Sequence, residues 1–560
     1  MLLLKRAIAP LSLIALLACS PAASDPAAPM EDAFASEALT LLQAAYPEDG
    51  PGAAVIVTKN NETLFIDGRG LADMAEGELV QPDTVFRYAS ITKQFAAATL
   101  MLLVDDGLVD LDAPIGTYLP DYPEPGRAIP VRHLLNHTSG IPSYTGIPGW
   151  MVEANTARAY TTNEMLAVFQ DLPADFEAGE QFAYNNSAYL LLGAVIESVT
   201  GQDWAEVVKD RITTPLGIDT IESGLMEGEL NRMATGYTAD NAAAQRLHMS
   251  VPHAAGALVG DVQGLADWAN AFHDGAVVSA DTYALMTSPT VTTSGEEVPY
   301  GYGLGFDTVK GYRTIEHSGG IFGFTTDSLY LPTEDIFVAV LANSDAPATP
   351  PSVMTTKLAA LALDIRFPSF VAQEVDLDNL EPVLGVYKSE TVTRTLLVRD
   401  GTLYTIREGS GESEVFPAGD NQFFYGQTSL SWFEIITGAD GQPQMVFHAP
   451  DSLEADTLVW TGPVPEVATV GSEILETYLG NYALSIPLTA TVAAQDGSLD
   501  KGITIQLTGQ PPFALEASSD TEFAVPSVGA VIRFKPNDEG LMTLEILQGG
   551  QVITGELTEG

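Results

Sequence analysis

The C-terminal third of the chain repeats itself. Leu380-Glu381-x-x-Leu384-Gly385-x-Tyr387 returns 95 residues later as Leu475-Glu476-x-x-Leu479-Gly480-x-Tyr482. Asp400-Gly401-Thr402-Leu403 returns 96 residues later as Asp496-Gly497-Ser498-Leu499. After Phe370 short strand-like runs alternate with Gly-containing turns, the pattern of barrels and sandwiches. Two copies of one all-β unit of about 90 residues account for both facts. Gly462-Pro-Val-Pro465 to Gly471 reads as the linker between them. One continuous fold is therefore excluded, and the remaining two thirds must form their own core.

That larger part mixes helix-like and strand-like text. Asp32 to Tyr46 predicts a helix. Ala53 to Thr58 and Thr63 to Ile66, joined at Asn60-Asn61, predict a hairpin. Gln94 to Val104 predicts a strongly apolar helix. Ser328–Leu331 and Ile336–Leu341 bracket a Pro332–Asp335 turn, and Ser352 to Leu363 predicts a closing helix.

The chain opens with Lys5-Arg6 followed by an apolar run from Ala7 to Ala18, too short to span a bilayer. It ends Leu16-Leu17-Ala18-Cys19, which resembles the lipobox of bacterial lipoproteins. That resemblance implies cleavage before Cys19 and acylation of its thiol and new amine. An ordinary secretory signal is the alternative, and export follows from either. Pro21 to Pro29 reads as a tether. The resulting division is a leader at 1–18, a tether at 19–31, a mixed domain at 32–370 and barrels at 371–465 and 466–560.

Composition removes several classes of function. Of 560 residues, 24 are basic and 74 acidic, a formal charge of −50. No basic stripe for nucleic acid is available. Hydrophobic residues make up 46%, too many for a disordered chain. Cys19 is the only cysteine, so there is no disulfide and no cysteine-based metal site. The seven histidines lack metal-ligand spacing, so no metal is expected.

Ser90-Ile91-Thr92-Lys93 opens the apolar helix. A lysine three residues after a serine shares its face, so the amine can reach the hydroxyl. The helix start also favours developing negative charge. The pattern is weak alone, since Ser498-Leu499-Asp500-Lys501 also matches. That copy follows a turn inside the repeat, with no apolar helix after it, and reads as a decoy. Tyr184-Asn185-Asn186 precedes a second apolar run, Ser187 to Val199. A tyrosine beside a lysine can relay a proton, and an asparagine can bind the lysine or a substrate amide. His317-Ser318-Gly319-Gly320 follows a strand-like run, where glycines would let substrate approach an edge strand. His273-Asp274-Gly275 ends a helical run and reads as a stop. Loop roles are expected for His133 and His137.

Taken in order, Ser90, Tyr184 and His317 resemble the superfamily of class C β-lactamases, penicillin-binding proteins and D-aminopeptidases. Neighbouring text carries the same likeness: Pro82-Asp-Thr-Val-Phe-Arg-Tyr-Ala-Ser90, Leu111-Asp112-Ala-Pro114, Arg132-His133-Leu-Leu-Asn-His137-Thr138-Ser139-Gly140 and Tyr302-Gly303-Leu304-Gly305. The resemblance spans about residues 33 to 365. It implies an α/β β-lactamase-like catalytic domain, an antiparallel sheet flanked by helices with a helical subdomain. Two all-β antiparallel barrels, lipocalin-like, follow it as in D-aminopeptidases.

The implied chemistry is a serine hydrolase working through an acyl-enzyme without a cofactor. Ser90 is the nucleophile, and either Lys93 or Tyr184 takes its proton. Tyr184 protonates the leaving group, and Asn186 orients Lys93 and the substrate. His317 and Gly319 support the pocket, and the backbone amides of Ser90 and Gly320 hold the oxyanion. Class A β-lactamases carry lysine in the third motif, and histidine stands there in D-aminopeptidases and in many esterase-like or peptidase relatives. Histidine there, mostly neutral near pH 7, favours substrates without a carboxylate, such as small peptides, amino amides or esters. Amide hydrolysis is the leading expectation and a carboxylesterase the runner-up. A β-lactamase or DD-carboxypeptidase comes next, then a non-catalytic envelope binding protein. No nucleic-acid partner is expected, and the lipid anchor is the only membrane contact. The oligomeric state is open. The barrels either gate the site, the favoured reading, or bind a partner or simply pack the fold.

Overall fold

The computed structural model describes residues 28–537 and 539–558. The leader, Cys19 and the tether up to residue 27 lie outside the described residues. Helix α1 (Ala28–Ala45) begins ahead of the expected Asp32. Proline is tolerated in a first helical turn, so Pro29 does not delay the start.

Strands β1 (Ala53–Lys59) and β2 (Glu62–Arg69) form the expected hairpin. Asn60 (φ 50°) and Asn61 (φ 62°) supply the two left-handed residues that a tight hairpin needs. Four later strands complete the sheet: β3 (Gly305–Val309), β4 (Tyr312–Ile321), β5 (Phe324–Leu331) and β6 (Ile336–Ala342). The order is β3-β4-β5-β6-β1-β2, all antiparallel. The N-terminal hairpin is thus annealed to the C-terminal meander, with β1 an interior strand between β6 and the edge strand β2.

Both faces of this sheet are covered. Val55 and Val57 point with Val338 and Val340 into one core, closed by α1 and by α5 (Pro351–Ala362). Ala54 and Ile56 point with Ala339 and Leu341 into the other. That second core is built on α2 (Thr92–Asp105), α3 (Asn186–Thr200) and α4 (Val262–His273). Burying each large aliphatic side chain contributes about 1.5–3 kcal/mol. The apolar text of β1 from Ala53 to Val57 and of all of β6 follows from having no solvent face there.

Two nine-stranded antiparallel, nearly closed barrels follow. Their first and last strands pair, Val386–Lys388 with Val459–Gly462 in one and Tyr482–Leu484 with Gly555–Leu557 in the other. The repeated Leu-Gly-x-Tyr has a structural cause. Tyr387 and Tyr482 are fully buried, and each donates its hydroxyl to a carbonyl four residues back. Gly385 (φ 147°) and Gly480 (φ 142°) occupy backbone space closed to other residues. Barrel one docks on the β3–β4 turn, where Lys310 and Gly311 donate backbone N–H groups to Pro450 and Asp451 at 2.9 and 2.6 Å. It meets barrel two through Glu412 N–H to Pro526 O at 2.9 Å and an Arg399–Glu516 ion pair.

Candidate active site

Ser90 sits in a single turn, Ala89–Ile91, just before α2. Ala89 holds φ 50° while almost fully buried, a left-handed alanine costing on the order of 1–3 kcal/mol. The turn is clamped to sustain it. Tyr88 O accepts from Thr326 Oγ1 at 3.0 Å, and Tyr88 Oη donates to Asp261 O at 2.6 Å.

Lys93 lies one turn further on and has no exposed surface. Its Nζ is 2.9 Å from Ser90 Oγ, 2.9 Å from Asn186 Oδ1 and 2.7 Å from Ala255 O. Burial pushes the amine well below the usual lysine range, with no carboxylate beside it to offset the loss of water. A neutral amine has two N–H groups and one lone pair. Asn186 Oδ1 and the Ala255 carbonyl can only accept, so they take the two N–H groups. The lone pair is then left to accept from the Ser90 hydroxyl.

Tyr184 packs its ring 4.8 Å from Lys93 Nζ, immediately before α3. It keeps 42% of its surface exposed, yet desolvation of the phenol raises its pKa while a hydrogen bond with Ser90 works the other way. Asn185 caps α3 by accepting from Ala188 N–H at 2.9 Å, which sets Asn186 against Lys93.

His317 on β4 does not touch Lys93 directly. Its Nδ1–H donates to Ser318 O at 2.6 Å, so Nε2 is the acceptor, and Tyr300 Oη lies 3.0 Å from it. Tyr300 also sits 3.2 Å from His137 Nε2, while His137 Nδ1 accepts from Asn185 N–H at 3.0 Å. Backbone groups at both ends therefore fix both tautomers. Protons run one way, from His137 through Tyr300 to His317. Burial first, then the nearby Lys93, holds His317 down to about 3 and His137 well below the usual histidine range.

A cavity of about 140 Å³ opens beside Ser90. Asn186 and Gly320 line it with Tyr144, Leu247, Val251 and Phe322, and no lining residue is charged. Neither barrel contributes to it among the described residues. Barrel one instead holds the far end of the β3–β4 hairpin. These are the contacts of a docked domain.

The beta-lactamase family model matches residues 42–363, which is 322 of 560 residues. The chain belongs to the beta-lactamase family. It is 27% identical to a D-aminopeptidase of Gluconobacter oxydans over 357 residues, covering 60% of this chain and 64% of the relative. It thus spans less than two thirds of that relative's length. Penicillin-binding protein 4* of Bacillus subtilis is 23% identical over 431 residues, covering 71% of this chain and 93% of the relative. Among solved structures, a D-amino acid amidase from Ochrobactrum anthropi in complex with D-phenylalanine aligns with TM-score 0.50 and 25% identity, over 59% of this chain and 98% of its own. The octameric penicillin-binding protein homologue from Pyrococcus abyssi shares the fold, with TM-score 0.52 and 24% identity over 77% and 98%.

This family member departs from sequence expectation at three places. Gly319 does not leave room for substrate. A Cβ there would stand 2.3 Å from Thr326 Oγ1 and 2.5 Å from Tyr88 O, so the glycine lets β4 close on the Ser90 turn. Gly320 faces open space instead. Strand β4 is also not the sheet edge, because β3 pairs with it up to Glu316. Only the stretch from His317 onward, past the end of β3, is locally unpaired on that side. His137 does lie in a loop, at φ 60°, but it is wired into the site. Tyr300 was missed. Its signal was two residues from the quoted Tyr302-Gly303-Leu304-Gly305 motif, whose Gly303 (φ 74°) packs against Lys93 O. At the decoy, Ser498 is extended and Lys501 pairs with Asp496 at 2.9 Å.

Proposed function

We propose that this chain is a serine hydrolase that cleaves amide bonds in small peptides or amino amides, in the manner of a D-aminopeptidase. One observation carries the reading: a buried, uncharged-leaning Lys93 amine 2.9 Å from the Ser90 hydroxyl. In the proposed reaction Ser90 Oγ attacks the carbonyl carbon and its proton passes to Lys93. Lys93 is preferred over Tyr184 as the base, because the amine is shifted down and the phenol up. Backbone N–H groups of Ser90 and Gly320 receive the oxyanion, each donor being worth about 10²–10³-fold. The C–N bond breaks as Tyr184 gives its phenolic proton to the leaving amine and is then re-protonated from Lys93, which returns to the neutral amine. Water then adds to the acyl-enzyme, loses a proton to the same pair, and releases the acid and Ser90.

His317 is not a fixed cation, which supports substrates without a carboxylate beside the reacting carbonyl over β-lactams and D-Ala-D-Ala peptides. The uncharged lining of the cavity equally suits a neutral ester, so a carboxylesterase is the second reading. A fluorophosphonate should label Ser90 alone, with Ser498→Ala labelled like the parent. Labelling elsewhere removes the mechanism. Comparing D-alanine p-nitroanilide, p-nitrophenyl esters and nitrocefin then ranks the amide, ester and β-lactam readings.

We further propose export and acylation at Cys19, supported by the leader text alone. Radiolabelled palmitate should enter the chain in a bacterial host and be lost in Cys19→Ser.

A further inference from the structure

The two barrels share one strand register, so equivalent positions can be compared. Tyr387 faces Arg394 in barrel one, where Tyr482 faces Ala490 in barrel two. One strand further, Arg394 faces Arg407, where Ala490 faces Leu507. Leu396 faces Thr405, where Val492 faces Ile505. Across each barrel the rows Phe423–Phe433–Phe447 and Phe523–Ile532–Ile546 correspond. Tyr425 and Val525 each stand two residues after the first member of their row.

Barrel two thus fills these positions with Ala490, Ile505, Val525 and Ile546, all buried. Barrel one places Arg394, Thr405, Tyr425 and Phe447 there. The fold closes without polar groups at these positions, so their presence in barrel one needs another cause. Partly burying a guanidinium is costly unless it is paired.

Arg394 is not paired. It forms no ion pair among the described residues, and its Nε is buried without a partner. The guanidinium lies over the Phe447 ring, Cζ 3.8 Å from the centroid. Arg407 opposes it directly, and like charges so placed repel. Thr405 Oγ1 donates to Tyr425 Oη at 3.1 Å, and Arg394 Nη1 approaches the same oxygen at 3.4 Å. The Tyr425 proton then has no acceptor among the described residues. Donors without acceptors, in a chain with 74 acidic and 24 basic residues, face a cavity of about 490 Å³. Phe416, Phe447, Tyr425, Ser429 and Ser431 line it with Arg394, and Glu414 stands exposed at its rim.

We infer that this end of barrel one binds a small organic carboxylate with an aromatic or aliphatic body. The Arg394 guanidinium and Tyr425 hydroxyl take the carboxylate, and Phe416 and Phe447 take the body. A carboxylate would pair with the Nη groups beside Tyr425 and screen Arg394 from Arg407.

The test is calorimetry on the full chain with benzoate, phenylacetate and hexanoate, and with 2-phenylethanol as a neutral control. At least one acid should bind saturably, and the alcohol at least about tenfold more weakly, as expected for losing a charged hydrogen bond. Arg394→Met should weaken the acid about tenfold or more. Tyr425→Phe keeps the ring, should weaken it severalfold, and decides the matter alone if Arg394→Met does not fold. Glu414→Gln should tighten binding. Three results would overturn the inference: no saturable binding of any acid, equal binding of the alcohol, or Tyr425→Phe binding like the parent.

Discussion

Tyr300 donates its hydroxyl proton to His317 Nε2 across 3.0 Å, and this bond ties the third motif to the second. On its other side the same phenol oxygen accepts from His137, which is held by the Asn185 backbone. Tyr300→Phe keeps the ring and cuts the line. His317 should then titrate higher, visible in its ring nitrogen NMR signals. We expect kcat to fall between about 10- and 100-fold with KM little changed, as for a small misplacement. A pKa that stays near 3 would show that the phenol does not hold the imidazole neutral.

Lys93→Met replaces a buried amine by an apolar chain of similar length. Acylation by an amide substrate should slow by about 10²–10⁴-fold, the usual value of a general base. The thermal midpoint should hold or rise, because a desolvated amine no longer has to be buried. Retained acylation would return the base role to Tyr184.

Asn186→Asp puts a negative charge 2.9 Å from Lys93 Nζ. An opposite charge at this distance favours the ammonium and raises its pKa by about 1–3 units. The acidic limb of the kcat/KM profile should therefore move to higher pH by that amount. An unmoved limb would mean that it reports some group other than Lys93.

Gly319→Ala and Gly320→Ala differ by one residue and should differ in outcome. The first forces a Cβ into Thr326 and the Tyr88 carbonyl. It should lose about 1–3 kcal/mol of stability in denaturant titration. The second meets nothing within 4 Å and keeps its backbone N–H, so it should unfold like the parent.

His273 stacks on Tyr330 at 3.8 Å, is half-buried, and is held at about 3 by the loss of water around its ring. An unfolded histidine takes up a proton below about 6.5. The unfolded state is thus favoured as pH falls from there towards 3, by up to about 1.4 kcal/mol per pH unit for this group. His273→Gln should flatten the loss of stability in that window. Asp327, raised to about 7, acts with the opposite sign, so the difference between parent and variant is the quantity to read.

Much of the fold was legible because its signals are local. The Asn60-Asn61 turn demands two left-handed residues, and Leu-Gly-x-Tyr encodes a strand start with a tucked tyrosine. The pairing of β1 with β6 is different, since it joins residues nearly three hundred positions apart. No local pattern in Ala53–Lys59 names that partner.

The candidate site divides along the same line. Ser90 and Lys93 are one helical turn apart, so their meeting follows from helix geometry once the helix is recognised. Tyr300 and His137 carry no such periodicity, and only the closure of three loops around α3 sets their order of hydrogen bonds. Gly319 was visible as a glycine, but its reason is a carbonyl 231 residues earlier, at Tyr88. The repeat announced two like all-β units from the text alone, and the family resemblance named them barrels. That one holds an unpaired arginine where the other holds Ala490 emerged only from strand register, because burial and pairing belong to neighbours brought together by folding.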